Sequence, residues 1–176
     1  SLKLFADVGI IGKPNAGKST FLSKVSNAKP KVADYPFTTL HPVLGVIKQF
    51  DKEMVIADIP GLIEGAHEGK GLGDKFLAHI ERCKILLHLI DSSDPNWKDN
   101  YLVVKNELKK YGQKLENKEE IVALSKGDIA NNNFSKTLKK IEKIIGKKPF
   151  KISSFNGEGL KELTEYLFEK CIIEND

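Results

Sequence analysis

Nine residues between Gly12 and Thr20, GKPNAGKST, have the types and spacing of a phosphate site. They fit G-x-x-x-x-G-K-[ST], following an apolar segment and preceding a helix-period one, which is the context the motif requires. Gly12 and Gly17 permit a tight turn whose N–H groups face inward as an anion nest, at the positive end of a helix. Lys13, Pro14, Asn15 and Ala16 form the wall of that turn, and Thr20 follows it into the helix. Lys18 can reach β- and γ-phosphates, and the Ser19 hydroxyl can ligate Mg²⁺. A glycine-rich turn with no ligand is the bland alternative, and the flanking strand and helix weigh against it.

Three further stretches carry chemistry. VIADIPGLIEG places Asp58, Ile59, Pro60 and Gly61 at the end of an apolar run. An acid there suits a role holding Mg²⁺ directly or through water. Gly61 lets a backbone N–H approach a γ-phosphate without a Cβ in the way. The polar segment DYPFTTLHPVLG, 34–45, offers Phe37, Thr38, Thr39, Leu40 and His41 beside the nucleotide. Either threonine can complete a Mg²⁺ shell. The run IVALSKGDI ends in Ser125, Lys126, Gly127 and Asp128, one letter from Asn-Lys-x-Asp. Taken alone it reads as an altered guanine reader, a reader of another base, or an unrelated loop. A last loop, KISSFNGEGL, presents Ser153, Ser154 and Phe155 ahead of a helix.

The elements that must hold these loops follow from the hydrophobic pattern. Strands are expected at 4–11, 43–50, 53–58, 84–91, 120–125 and 149–152, and helices at 18–26, 72–82, 97–111, 134–146 and 159–171. Their alternation predicts an α/β fold: a six-stranded, mostly parallel, doubly wound sheet with helices on both faces. The link FDKE is hairpin-sized, so 43–50 and 53–58 make one antiparallel edge. In such a sheet ligands sit at the carboxyl ends of the strands, where all five loops fall.

Composition bounds the rest. The chain has 176 residues, 40% hydrophobic and 30% charged, with a formal charge of +4. One domain over 1–176 is expected. Apolar runs reach about six residues, far short of the ~20 of a membrane span. Cys83 and Cys171 lie in apolar surroundings and read as buried reduced thiols of a cytoplasmic protein. No His/Cys spacing suggests zinc, and His79 and His88 read as packed or surface residues. Lysines gather along SKTLKKIEKIIGKK. A solvated helix face is the plainer reading of that run, an RNA contact the other. Aromatics do not interleave with the basic residues, so a sequence-specific nucleic-acid reader is not expected.

The stretches GKPNAGKSTFLS, DYPFTTLHPVLG, DIPGLIEGAHEGKGLGDKFLAHIER and GEGL together resemble the Obg (CgtA) GTPases, ribosome-associated bacterial switch proteins. The resemblance spans 4–170 and implies GTP and GDP as ligands, Mg²⁺ as cofactor and the large ribosomal subunit as partner. By this resemblance Thr39 is the Mg²⁺-sensing threonine, joining Ser19 and Asp58 as metal ligands. Lys18, Thr39, Gly61 and Asn15 become the catalytic set. The chain then corresponds to an isolated G domain, without the family's glycine-rich N-terminal domain or its C-terminal tail.

The resemblance also assigns the base loops. Asp128 can accept from guanine N1–H and N2–H₂, donors that adenine does not present together. Lys126 would lie across the base with its ammonium bonded back to the phosphate loop. The backbone of Ser153-Ser154-Phe155 would donate to guanine O6. Asn in place of Ser125 would donate toward N7 and tie the loops together, whereas serine has one donor instead of two.

Many GTPases place a water-orienting Gln after D-x-x-G, but here that residue is Leu62. Slow intrinsic hydrolysis is the expectation, with K⁺ held through Asn15 as a candidate stimulant. A cap of the turn is the plainer role for Asn15. The alternatives are a nucleotide-gated ribosome-binding module that barely hydrolyses, and an Obg-like ATPase.

Overall fold

The segment Ile85–Asp91, ILLHLID, is buried at every position but the last, as a strand must be when both faces of its sheet are covered. In the computed structural model, which describes residues 6–34, 41–58, 81–111, 113–126 and 134–173, it is a central strand. In chain order the elements are β1 (Val8–Ile11), α1 (Lys18–Val25), β2 (Lys31–Val32), β3 (Val43–Gln49), β4 (Lys52–Asp58) and β5 (Ile85–Asp91). There follow α2 (Trp97–Tyr111), α3 (Gln113–Glu116), β6 (Glu119–Ser125), α4 (Phe134–Ile145), β7 (Phe150–Lys151) and α5 (Leu160–Ile173). The expected helix 72–82 lies outside the described residues except at its last two positions.

The sheet has seven strands in the order β2-β3-β4-β1-β5-β6-β7. From β4 to β7 every pairing is parallel, while β3 pairs antiparallel with both β4 and β2. This corrects the expected six strands. The 43–50 and 53–58 hairpin forms, but it is not the edge, because Lys31 and Val32 pair outside it with Leu44 and Val43. Both residues of β2 are exposed. Two exposed residues leave no alternating apolar signal, and only the free side of β3 makes them a strand.

Each face of the sheet has its own core. On one, Phe21 and Leu22 of α1 and Leu163, Leu167 and Phe168 of α5 join Val8, Ile10, Ile56, Leu87 and Leu89. On the other, Tyr101 of α2 and Ile141 of α4 pack with Ile90, Val122 and Leu124. Burying one such large apolar side chain contributes roughly 1.5–3 kcal/mol. Cys83 and Cys171 are buried free thiols as expected, and burial pushes the Cys83 thiol up to about 12. His88 is fully buried inside β5, its Nδ1 3.0 Å from Glu120 Oε2 and its ring stacked on Tyr101. It is a packed residue rather than a ligand. After β1 the chain winds to one side of the sheet, and β5 begins the other. The loop after β1 therefore opens at the topological switch point, where doubly wound sheets bind ligands.

Candidate nucleotide site

The loop between β1 and α1 has a backbone that serves little but an anion. Gly12 has φ 151°, and a Cβ there would come 2.6 Å from the Leu89 carbonyl oxygen. Pro14–Ala16 form a 3-10 turn closed by the Ala16 N–H donating to the Lys13 carbonyl at 2.9 Å. Gly17, at φ 90° in the left-handed region, is the N-cap of α1. Glycine has no side-chain oxygen with which to satisfy the first-turn N–H groups, so they stay open to an external acceptor. A phosphate is the natural acceptor at that end of a helix. Ser19 and Thr20 are exposed beside it. The side chain of Asn15 lies outside the described ones.

Lys18 points inward rather than to solvent. It is buried, with Nζ 3.6 Å from Oδ1 of Asp58, itself buried at the end of β4. Asp58 stands there because β4 pairs with β1 in the register Ile10–Asp58. One hydroxyl, one carboxylate and phosphate oxygens form the hard-oxygen donor set that Mg²⁺ prefers, so Ser19 and Asp58 fit the metal. Phe37, Thr38, Thr39, Leu40, Ile59, Pro60 and Gly61 lie outside the described residues. His41 precedes β3, its Nδ1 3.5 Å from Asp34 Oδ1.

The carboxyl end of β6 binds the other loops together. The Ser125 hydroxyl, buried, donates to the Ala16 carbonyl at 2.6 Å, with the Ile90 carbonyl also at 3.2 Å. Its own carbonyl accepts from Ser92 Oγ at 2.8 Å and from Ser92 N–H at 3.1 Å. One residue thus joins the loops after β1, β5 and β6. Serine was expected to hold them less well than asparagine, yet its single proton is spent on the phosphate loop.

Next to it Lys126 adopts φ 59°, unusual for a residue with a side chain. Its ammonium lies 2.8 Å from Asp91 Oδ2, a partner the sequence did not announce. The register Asp91–Ser125 accounts for this pair: the end of β5 is one residue away, within the lysine's reach. Burial alone would raise the Asp91 carboxyl, but hydrogen bonds from Lys126 and from the Ser93 hydroxyl and N–H outweigh it and hold it below the usual range. Asp91 escaped the sequence reading. The signal for it was an apolar strand ending in an acid, the same pattern that drew attention to Asp58. Gly127 and Asp128 lie outside the described residues.

The loop after β7 completes the wall. Ser153 is buried, and its N–H donates to the Glu158 carbonyl at 2.9 Å. Its hydroxyl accepts from the Asn156 N–H at 3.2 Å, and its carbonyl from the Gly157 N–H at 2.8 Å. The Ser153 amide is therefore committed inside the loop, which leaves donation to a ligand to Ser154 and Phe155. These two residues, with Gly17, Thr20, Lys24, Ser125 and Lys126, line a cavity of about 490 Å³. Phe155 stands 85% exposed among the residues that line it.

A family model described as 50S ribosome-binding GTPase matches residues 7–126. GTPase Obg of Rickettsia prowazekii (strain Madrid E) is 54% identical over 175 residues, which are 99% of this chain and 52% of that protein. The chain thus spans about half the length of this curated relative. Among solved structures, putative nucleolar GTP-binding protein 1 from Plasmodium falciparum superposes with TM-score 0.69 at 20% identity, over 99% of this chain and 91% of that one. The cytosolic domain of the T. maritima FeoB iron transporter in its GMPPNP form gives 0.68 at 23%, over 95% and 64%. Both share the fold. With phosphate loop, acid-tipped β4 and tied base loops in their places, the chain belongs to the family of 50S ribosome-binding GTPases, in its Obg branch.

Proposed function

We propose that this domain is a slow, Mg²⁺-dependent GTP-hydrolysing switch. The carrying observation is the Ser125–Ala16 hydrogen bond of 2.6 Å. It is a buried bond that joins the loop of the base-reading motif to the phosphate loop, and Ser125 and Gly17 line the same cavity. Base and phosphates are then bound by a single connected unit. In this reading Lys18 and the α1 amides neutralise and orient the phosphates, and Ser19, Thr39 and Asp58 would hold Mg²⁺. When bound, the metal would supply neutralisation of phosphate charge. Thr39 and Gly61 would meet the γ-phosphate, Thr39 through the metal and Gly61 through its backbone N–H.

Guanine is chosen by Asp128. Adenine would leave its carboxylate unpaired, a penalty of ~1–3 kcal/mol or more. Competitive binding of GTP, GDP and ATP is the direct test. Tight ATP binding with weak GTP binding would overturn the reading in favour of an ATPase.

Leu62 offers no hydrogen bond to an attacking water, so hydrolysis is carried by phosphate positioning, Mg²⁺ and backbone donors. Asn15 would hold K⁺, which when bound would supply an additional positive charge at the phosphates. Turnover in KCl against NaCl at equal ionic strength reads this out, and equal rates would exclude it. The same leucine favours a second reading, in which output is nucleotide-gated association and turnover is negligible. Single-turnover hydrolysis separates the two. The partner is the large ribosomal subunit, met by the longer protein in the cytoplasm, with 1–176 acting as its G domain.

A further inference from the structure

Residues 134–148, FSKTLKKIEKIIGKK, hold six lysines against one glutamate, a local excess of five in a chain whose total excess is four. All other residues together therefore sum to minus one. The positive character of this protein is a property of one helix and its exit.

Within α4, Lys136, Lys139, Lys140 and Lys143 recur at i, i+3, i+4 and i+7, which places them on one face. All four are exposed. Among the described residues none of the four has a carboxylate partner, whereas Lys48, Lys105, Lys126, Lys151 and Lys170 each pair with an acid. The stripe from Lys136 to Lys143 is about 10 Å long at 1.5 Å per residue.

The opposite face is occupied. Ile141 is buried with Ile90, Val122 and Leu124, and Leu138 and Ile145 pack on the same cluster. The helix has no apolar face left to sink into acyl chains, as a membrane-surface helix requires. Beyond its end, the Lys147 ammonium donates to the Glu120 carbonyl and pins the exit to β6. The stripe is thus presented rigidly, on the outside of the sheet. None of the residues lining the nucleotide cavity belongs to α4.

We infer that this face of α4 docks on the phosphate backbone of structured RNA, the RNA of the large ribosomal subunit, through Lys136, Lys139, Lys140 and Lys143. The inference rests on the ribosome reading above and says which surface makes the contact. Like-charged side chains four apart repel and weaken a helix, and a row of phosphates removes that repulsion. Lysine is a point charge suited to backbone phosphate, while bidentate reading of base edges favours arginine. The whole chain has one arginine, Arg82. The contact is therefore independent of RNA sequence.

The test compares this 176-residue chain with K136Q/K139Q/K140Q/K143Q. Glutamine is nearly as good a helix former as lysine, and unchanged binding of a fluorescent GDP shows that the variant is folded. Binding to a labelled RNA hairpin and to purified 50S subunits is measured across a KCl series. The expected result is a loss of about tenfold or more in RNA affinity, with the slope of log K against log salt flatter by about three, from ~0.7–0.9 per phosphate. Binding of 50S subunits should fall in parallel. Unchanged 50S binding by the quadruple variant would remove α4 from the contact and leave the ribosome reading standing. If the variant loses 50S subunits and the wild type ignores naked RNA, the face meets an acidic protein and the RNA assignment is wrong. A wild type that binds neither RNA nor 50S subunits in any nucleotide state overturns the α4 assignment and leaves ribosome association to other parts of the longer protein.

Discussion

The Ser125 hydroxyl donates to the backbone carbonyl of Ala16 across 109 residues of chain. That bond makes the base-reading loop and the phosphate loop one mechanical unit. Ser125→Ala should weaken GTP and GDP together by about a hydrogen bond's worth, ~0.5–1.5 kcal/mol. Ser125→Asn keeps a donor for Ala16 and adds one toward the base N7, so it should tighten both nucleotides by a similar amount. Purine N7 is common to guanine and adenine, and the GTP/ATP preference should not move in either variant. Titration with fluorescent nucleotides measures all three. A large change in preference with constant GTP affinity would show that Ser125 chooses the base.

Asp128→Asn and Asp128→Ala should behave in the opposite way. They should erode discrimination between GTP and ATP by ~1–3 kcal/mol, roughly five- to 160-fold. The same competition titration reads this. Discrimination that survives both substitutions would move base choice to the loop of Ser154 and Phe155.

The pair Asp91–Lys126 holds Lys126 in its left-handed conformation at the rim of the cavity. Lys126 is partly exposed, so the ion pair is discounted for solvent. Asp91→Asn should weaken nucleotide binding by about 1 kcal/mol, roughly fivefold, through loss of lysine positioning. The Asp91 pKa is lowered on folding. Its contribution to stability is therefore full above the unfolded value of about 3.9 and fades as pH falls below that toward the folded pKa. Nucleotide titrations of the variant at pH 7 test the positioning role.

Glu120 is buried beneath α2 with His88 Nδ1 at 3.0 Å and Lys105 Nζ at 3.5 Å. Burial would raise its pKa, yet the hydrogen bond and charge of His88, with Lys105 and Lys147, leave it lowered. Its stabilisation is present above about pH 4.3 and lost as pH falls through the depressed folded value. Glu120→Gln should cost ~1–3 kcal/mol at pH 7, with Tm measured from pH 7 to 3. The gap between wild type and variant should narrow below pH 4. A constant gap would mean that the carboxylate charge is not what stabilises.

At the tip of the β3–β4 hairpin, Phe50 and Asp51 have φ 49° and 54°, and Phe50 is 86% exposed. Two-residue hairpins of this twist favour Asn-Gly because both positions need positive φ. Phe50→Asn with Asp51→Gly should stabilise the domain by about 1 kcal/mol, raising Tm by roughly 2–4 °C. Thermal unfolding checks this, and a lower Tm would show that the Phe50 ring contributes packing.

Local and non-local chemistry divide what could be read in advance. The phosphate loop was legible because its function lies in a contiguous backbone: two glycines, a lysine and a hydroxyl must be neighbours to form one nest at one helix end. Helix α2 was legible because its apolar period runs unbroken for 15 residues, Trp97–Tyr111. The acid at the tip of β4 was legible because the strand before it is apolar and ends abruptly.

What the folded chain alone decided are meetings between distant residues of ordinary type. Lys31 and Val32 become a seventh strand only because β3 offers a free edge. Asp91 becomes a partner of Lys126 only because β5 and β6 pair in a register that puts Asp91 opposite Ser125. Ser125 itself stood out as a departure from asparagine and as a weaker grip. In the structure its single hydroxyl proton reaches Ala16, since parallel strands end their loops side by side. Sequence determined which loops carry the chemistry; tertiary structure decided which loops hold one another, because hydrogen bonds across a sheet depend on register and not on neighbouring letters.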